Sequence, residues 1–85
     1  DELTVLAGTL DAARLAERLA NRHAAIIMKV GRNLPKIRDA LTRAGRAEQA
    51  IYVEHCAMAG ERILPLAEAI EPAPYFSLVL VPRRP

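Results

Sequence analysis

The segment Met28-Lys29-Val30-Gly31-Arg32-Asn33 holds the residues best placed for chemistry. It closes a buried apolar run and opens a helix. In open α/β sheets, ligands gather beyond the carboxyl ends of strands. Gly31 lets a ligand approach the backbone. Arg32 and the helix N-terminus suit an anionic group. Many strand–glycine–helix junctions bind nothing, so the junction alone is a candidate and no more. Met28 on its own also reads as a core methionine.

The remaining reactive side chains form no catalytic set. His55 and Cys56 are adjacent in a predicted strand and point to opposite faces, which gives a poor nucleophile–base pair and a poor metal site. Cys56 reads as a small buried hydrophobe. His23 falls just past a helix end, where a cation is favoured. The four glycines at 8, 31, 45 and 60 are scattered, so no phosphate-binding glycine loop is present.

The elements that must position these residues follow from periodicity. Leu3–Leu6 predicts a short strand ended by Ala7-Gly8. Thr9 is the expected N-cap of a helix over residues 10–21, with Ala12, Leu15, Ala16 and Leu19 on its core face. Ala24–Val30 is nearly continuous in apolar residues and predicts a strand covered on both faces. Asn33 is the expected cap of the next helix, Pro35 suits its first turn, and Gly45 its stop. Ile37, Ala40, Leu41 and Ala44 form its apolar stripe. Ala50–Cys56 predicts a third strand, with Ile51, Val53 and His55 on one face and Tyr52, Glu54 and Cys56 on the other. Arg62–Leu64 predicts a short antiparallel strand, and Leu66–Ile70 a helical turn or two. Residues 71–74 predict a rigid connector, Tyr75–Val81 a last strand, and residues 82–85 a frayed end. The fold class is therefore α/β: a small mixed sheet of about five strands flanked by helices, with right-handed crossovers.

Composition bounds the function classes. Eighty-five residues make one small domain, and 52% hydrophobic with 26% charged residues fits a soluble globular fold. One Phe, two Tyr and no Trp leave an aliphatic core. The net charge of +2 comes from basic residues spread among acidic ones with no aromatic platform, which argues against a nucleic-acid binder. No stretch approaches the roughly 18 apolar residues that span a membrane. A lone cysteine and no secretory signal suit the cytoplasm. The start at Asp1 without methionine suggests a domain taken from a longer chain.

Several blocks together resemble a known family: residues 26–41 (IIMKVGRNLPKIRDAL), 52–58 (YVEHCAM), 61–69 (ERILPLAEA) and 74–82 (PYFSLVLVP). They are similar to the C-terminal domain of tetrapyrrole methylases, and within these to the enzymes that methylate C20 of precorrin-2 in cobalamin biosynthesis. The opening LTVLAGTLD resembles the segment just after the family's interdomain linker. The resemblance implies that residues 1–85 are the C-terminal domain, that an N-terminal domain is absent from this chain, and that S-adenosylmethionine is the methyl donor. It implies a cofactor cleft between the domains, a tetrapyrrole substrate, a homodimer, and no activity in this part alone. It implies cofactor contacts at Met28 and Ala57, with Val30 and Leu78 beside them. The chain reads Glu54-His55-Cys56-Ala57 where relatives often carry E-R-A-T, which bears on side-chain contacts more than backbone ones. The alternatives are a stand-alone α/β ligand-binding or interaction module, and the related cobalt-factor II C20-methyltransferase.

Overall fold

A computed structural model describes residues 2–55, 58–70, 73, 74 and 76–84. The chain runs β1 (Leu3–Ala7), α1 (Ala12–Leu19), β2 (Ala24–Met28), α2 (Leu34–Arg43), β3 (Ile51–Glu54), β4 (Arg62–Pro65) and β5 (Ser77–Val81). Single 3-10 turns at Gly31–Asn33 and Leu66–Glu68 precede α2 and follow β4. The five strands form one mixed sheet in the order β1-β2-β5-β3-β4. β1 and β2 are parallel, and β5 runs antiparallel between β2 and β3. β4 pairs antiparallel with β3, as its sequence predicts. Strands β1, β2 and β3 thus point the same way, and their carboxyl ends share one end of the sheet.

The order decides where the helices go. Both crossovers, β1 to β2 and β2 to β3, step in the same direction across the sheet. Two crossovers of one hand then lay both helices on the same face. The core bears this out. Leu15 and Leu19 of α1, and Leu34, Ile37, Ala40 and Leu41 of α2, form one buried cluster with Leu6, Ala25, Ile27, Tyr52, Val79 and Val81. The register places those strand residues on a common face: Leu6 opposite Ile27, Ile27 opposite Val79, and Val79 opposite Tyr52.

The other face carries no helix of the described residues. Leu3, Val5 and Ala7 of β1 align with Ala24, Ile26 and Met28 of β2. Leu78 and Leu80 of β5, Ile51 and Val53 of β3, and Ile63 and Pro65 of β4 complete it. The expectation that Ala24–Val30 is covered on both faces is therefore met on one face only. A continuous apolar run reports that a strand is apolar on both sides, not what stands against either side.

Several local expectations change. The N-cap of α1 is Asp11, not Thr9: its carboxylate accepts the Arg14 N–H at 2.8 Å. A turn intervenes first, closed by the Leu10 N–H donating to the Ala7 carbonyl at 3.1 Å, so the helix starts two residues later than predicted and ends at Leu19. Asn33 does not cap α2 with its side chain; its amide instead donates to the Lys29 carbonyl at 3.0 Å. Pro35 does sit in the first turn of α2, and Gly45 follows it at φ +71°. His55 leaves the strand in the left-handed region at φ 52°, so β3 ends at Glu54. The predicted alternation through Cys56 falls partly outside the described residues, as do residues 71 and 72 of the connector and Tyr75.

Residues 82–84 are tied down rather than frayed. The Arg84 N–H donates to the Arg22 carbonyl at 3.0 Å, and its guanidinium donates to the Ala44 carbonyl. Arg46, 1% exposed, donates to the carbonyls of Leu19 at 3.1 Å, His23 at 2.7 Å and Pro82 at 2.9 Å. One buried guanidinium thus joins the end of α1, the approach to β2 and the exit of β5. Burial, and then the charge of Arg84, push its pKa below the usual arginine value. No helix of the described residues is long and apolar enough to cross a membrane.

Candidate functional site

The carboxyl end of the sheet is built by two close approaches and two unusual backbone conformations. Gly8 follows β1 and packs directly on the segment that follows β2. Its N–H donates to the Met28 carbonyl at 2.7 Å. A Cβ on Gly8 would stand 2.7 Å from the Lys29 carbonyl oxygen, so only glycine lets the two strand ends lie this close. Lys29 then adopts φ 57°. A non-glycine residue pays roughly 1–2 kcal/mol for that region. It persists here because its neighbours fix it. The Met28 carbonyl takes Gly8, the Lys29 carbonyl takes the Asn33 side chain, and the Val30 carbonyl takes the Asn33 N–H at 2.6 Å. His55 takes φ 52° at the matching position after β3. Strain of this kind concentrates where backbone must be aimed.

The sequence-predicted residues divide across this end. Met28 is 49% exposed, on the open face. Leu78 is half-buried on the same face, opposite Val53 and one step along the register from the Ile27–Val79 pair, so it lies next to Met28. The fold therefore brings Met28 and Leu78 together. Val30 is fully buried in the core, which leaves its backbone, not its side chain, for a ligand. Ala57 lies outside the described residues. Lys29 and Arg32 are both exposed around the same turn.

Sequence reasoning missed a polar network on the helix-covered side of this end. The Tyr52 hydroxyl is buried and donates to Glu54 Oε2 at 3.0 Å; it lies 3.3 Å from Ser77 Oγ, whose proton it accepts. Arg62 on β4 pairs with Glu54 at 3.6 Å. Burial first, together with the Glu54 carboxylate, pushes the Tyr52 phenol above its usual value, partly opposed by the Ser77 hydrogen bond. Part of the signal was available, since Tyr52 and Glu54 share a strand face; that Glu54 is flanked by Arg62 and Ser77 follows only from the strand order. The network ties the ends of β3, β4 and β5.

The chemistry at this end is that of holding rather than reacting. Apolar Met28 and Leu78 suit a flat aromatic ring, backbone groups of residues 29–31 offer directed hydrogen bonds, and Lys29 and Arg32 suit a carboxylate. No cluster of three or more metal-ligating side chains occurs among the described residues. Two depressions, about 330 and 420 Å³, lie at the opposite end of the sheet, around Thr42–Gln49 and around Arg46 with residues 82–84. They are shallow, and the guanidinium of Arg46 beside them is already committed to backbone carbonyls.

Comparison with known proteins gives a consistent picture. The sequence profile described as Tetrapyrrole (Corrin/Porphyrin) Methylases matches residues 1–70. A precorrin-2 C(20)-methyltransferase of Sinorhizobium sp is 59% identical over 83 residues, which covers 96% of this chain and 34% of that protein. The cobalamin biosynthesis protein CobIJ of Mycobacterium tuberculosis is 44% identical over 81 residues, covering 94% of this chain and 16% of that protein. The solved methyltransferase CobJ shares the fold with a TM-score of 0.71 at 13% identity, over 98% of this chain and 41% of that one. The chain thus spans about a third of the length of the first of these relatives.

Proposed function

This chain belongs to the tetrapyrrole (corrin/porphyrin) methylases, and from that premise we propose that it is the C-terminal domain of a methyltransferase acting at C20 of precorrin-2 in cobalamin biosynthesis, supplying one wall of an S-adenosylmethionine cleft. The observation that carries the reading is the placement of Met28. It is an exposed apolar side chain at the carboxyl end of β2, held by Gly8 and Lys29 and lying beside Leu78. The likeness to the Sinorhizobium C20-methyltransferase points to the substrate.

S-adenosylmethionine would supply an already activated methyl group, which passes to an electron-rich ring carbon. This chain's residues then need only bind and orient. Met28 and Leu78 would give the adenine an apolar bed. The backbone after β2 would offer it hydrogen bonds, as the family resemblance implies for Ala57. Lys29 and Arg32 would supply positive charge for the carboxylate of the methionine part. The buried Tyr52–Glu54–Ser77 network fixes the strand ends that carry these groups. No acid–base pair is required of this domain in such a transfer. In this reading the partners are the tetrapyrrole, an N-terminal domain and a second subunit.

The test is to incubate the complete polypeptide with S-adenosylmethionine and precorrin-2 and to read the tetrapyrrole mass. Gain of one methyl, located at C20, is the expected result. A methylated tetrapyrrole with the group at another carbon would remove the substrate assignment and keep the family.

A further inference from the structure

The alternation of β2 breaks just past its carboxyl end, and the break places residues of the candidate site. In a strand, successive side chains take opposite faces. Ile27 is fully buried on the helix-covered face, and Met28 stands on the open one. A strand continued past Met28 would turn the Lys29 side chain into the helix-covered core and Val30 out to the open face. The structure has the reverse. Lys29 is exposed, and Val30 is fully buried in one cluster with Leu34 and Ile37. The left-handed backbone of Lys29, at φ 57°, makes the exchange. It keeps an ammonium out of the core and anchors the turn through Val30.

Lysine does not favour that backbone region, so the turn depends on what holds it. On one side, the Gly8 N–H donates to the Met28 carbonyl at 2.7 Å. On the other, the Asn33 side chain donates to the Lys29 carbonyl at 3.0 Å, and the Asn33 N–H to the Val30 carbonyl at 2.6 Å. Asn33 stands at the N-cap of α2, where an asparagine side chain ordinarily accepts from an N–H of the helix. Here it makes no such bond. Its side chain serves the turn rather than the helix.

Resting on the reading of this end of the sheet as the S-adenosylmethionine site, we infer that Asn33 is a positioning residue for the methyl donor. It acts through the Lys29 carbonyl rather than by contact with the donor. The bond holds the Lys29 side chain on the solvent side of the turn and fixes the backbone of residues 29–31 next to Met28. A hydrogen bond of this kind and the left-handed penalty of a lysine are of the same order. Without the bond, ordinary conformations of Lys29 become populated, and apparent affinity falls with the fraction of molecules in the competent turn. Glycine carries no such penalty, so with glycine at 29 the turn holds without Asn33.

The test measures S-adenosylmethionine affinity of the complete polypeptide by calorimetry in two backgrounds, with lysine and with glycine at residue 29. Lys29→Gly also removes a charge, so each comparison is made within one background. Asn33→Ala should weaken binding about five- to tenfold beside lysine and less than about twofold beside glycine. Asn21→Ala removes a similar bond, from the Asn21 side chain to the Arg18 carbonyl at 2.9 Å, and as a control should leave affinity unchanged. Circular dichroism and the urea midpoint are read on every variant. Asn33→Asp, of the same shape and favoured by the dipole of α2, repeats the comparison with the fold secured. Unchanged affinity beside lysine overturns the inference. So does an equal loss in both backgrounds, which would mean that Asn33 works by direct contact or through the stability of α2. Both results leave the methyltransferase reading standing, because the parent polypeptide still binds the donor. A folded parent that binds no S-adenosylmethionine overturns that reading and the inference with it.

Discussion

Replacing Gly8 by alanine adds one methyl group where two strand ends meet. Its Cβ would stand 2.7 Å from the Lys29 carbonyl oxygen, 2.9 Å from Ile37 Cδ1 and 3.1 Å from the Met28 carbonyl oxygen. Ordinary contact begins near 3.4 Å. The tip of Ile37 can swing aside. The Lys29 carbonyl cannot do so freely, because Lys29 is held at φ 57° and its oxygen takes the Asn33 amide. The strand ends must then part, which stretches the 2.7 Å bond from the Gly8 N–H to the Met28 carbonyl. Overpacking of this kind costs about 1–3 kcal/mol. The lost flexibility of the unfolded chain returns about 0.4–1 kcal/mol. The net expectation is a loss of about 1–2 kcal/mol. With a urea dependence near 1 kcal/mol per molar, the unfolding midpoint of the 85-residue chain falls by about 1–2 M at unchanged slope. Urea titration followed by far-UV circular dichroism reads this directly. An unchanged or raised midpoint would refute the argument that this approach is tight, and with it the reason given for the aim of Met28.

Three further outcomes follow from the same geometry. Arg46→Met keeps the apolar stem but removes three hydrogen bonds to buried or part-buried backbone carbonyls, so urea unfolding should show a loss of about 3 kcal/mol; a loss under about 1 kcal/mol would mean that water replaces the guanidinium without penalty. Met28→Lys should barely change stability, the side chain being half-exposed, yet weaken S-adenosylmethionine binding to the complete polypeptide more than about tenfold by calorimetry, because it replaces the apolar bed proposed for the adenine by a cation that must be desolvated. The fold favours the neutral Tyr52 phenol, whose folded pKa is raised. Its contribution is whole below the ordinary tyrosine value of about 10 and is lost as pH climbs through the raised one. Absorbance titration at the phenolate band of a Tyr75→Phe variant should place Tyr52 above free tyrosine, and a midpoint at or below it would contradict the buried network.

Much of this arrangement was legible in the sequence because it is local. The spacing of Ile37, Ala40 and Leu41 gave α2, the β-rich run before Pro82 gave β5, and Met28-Lys29-Val30-Gly31 stood out as a strand–turn–helix junction. The fold class was legible too, from the alternation of such runs. What escaped was set by distant partners. Nothing near Ser77–Val81 says that this strand inserts between β2 and β3. Without that order, neither the single helical layer nor the bare face of Val5, Met28 and Ile63 is visible. Gly8 read as a strand terminator, whereas its role comes from Lys29, 21 positions away. Thr9 and Asp11 are both good caps, and the choice fell to Asp11 because a turn closed on Ala7 had to finish first. His55 looked like the next strand residue, since its left-handed backbone has no signature in side-chain alternation. The tail at 82–84 looked loose for want of any local sign that Arg46 and the Ala44 carbonyl would hold it.

The central claim is that the carboxyl end of this sheet holds the methyl donor. The direct measurement is photolabelling of the complete polypeptide with radioactive S-adenosylmethionine, followed by tryptic mapping. The account predicts label in the peptide of residues 23–29, which contains Met28, or in that of residues 47–62, which contains Ala57. Label confined to peptides from the opposite end of the sheet, or a folded protein that takes no label and binds no S-adenosylmethionine, would contradict it.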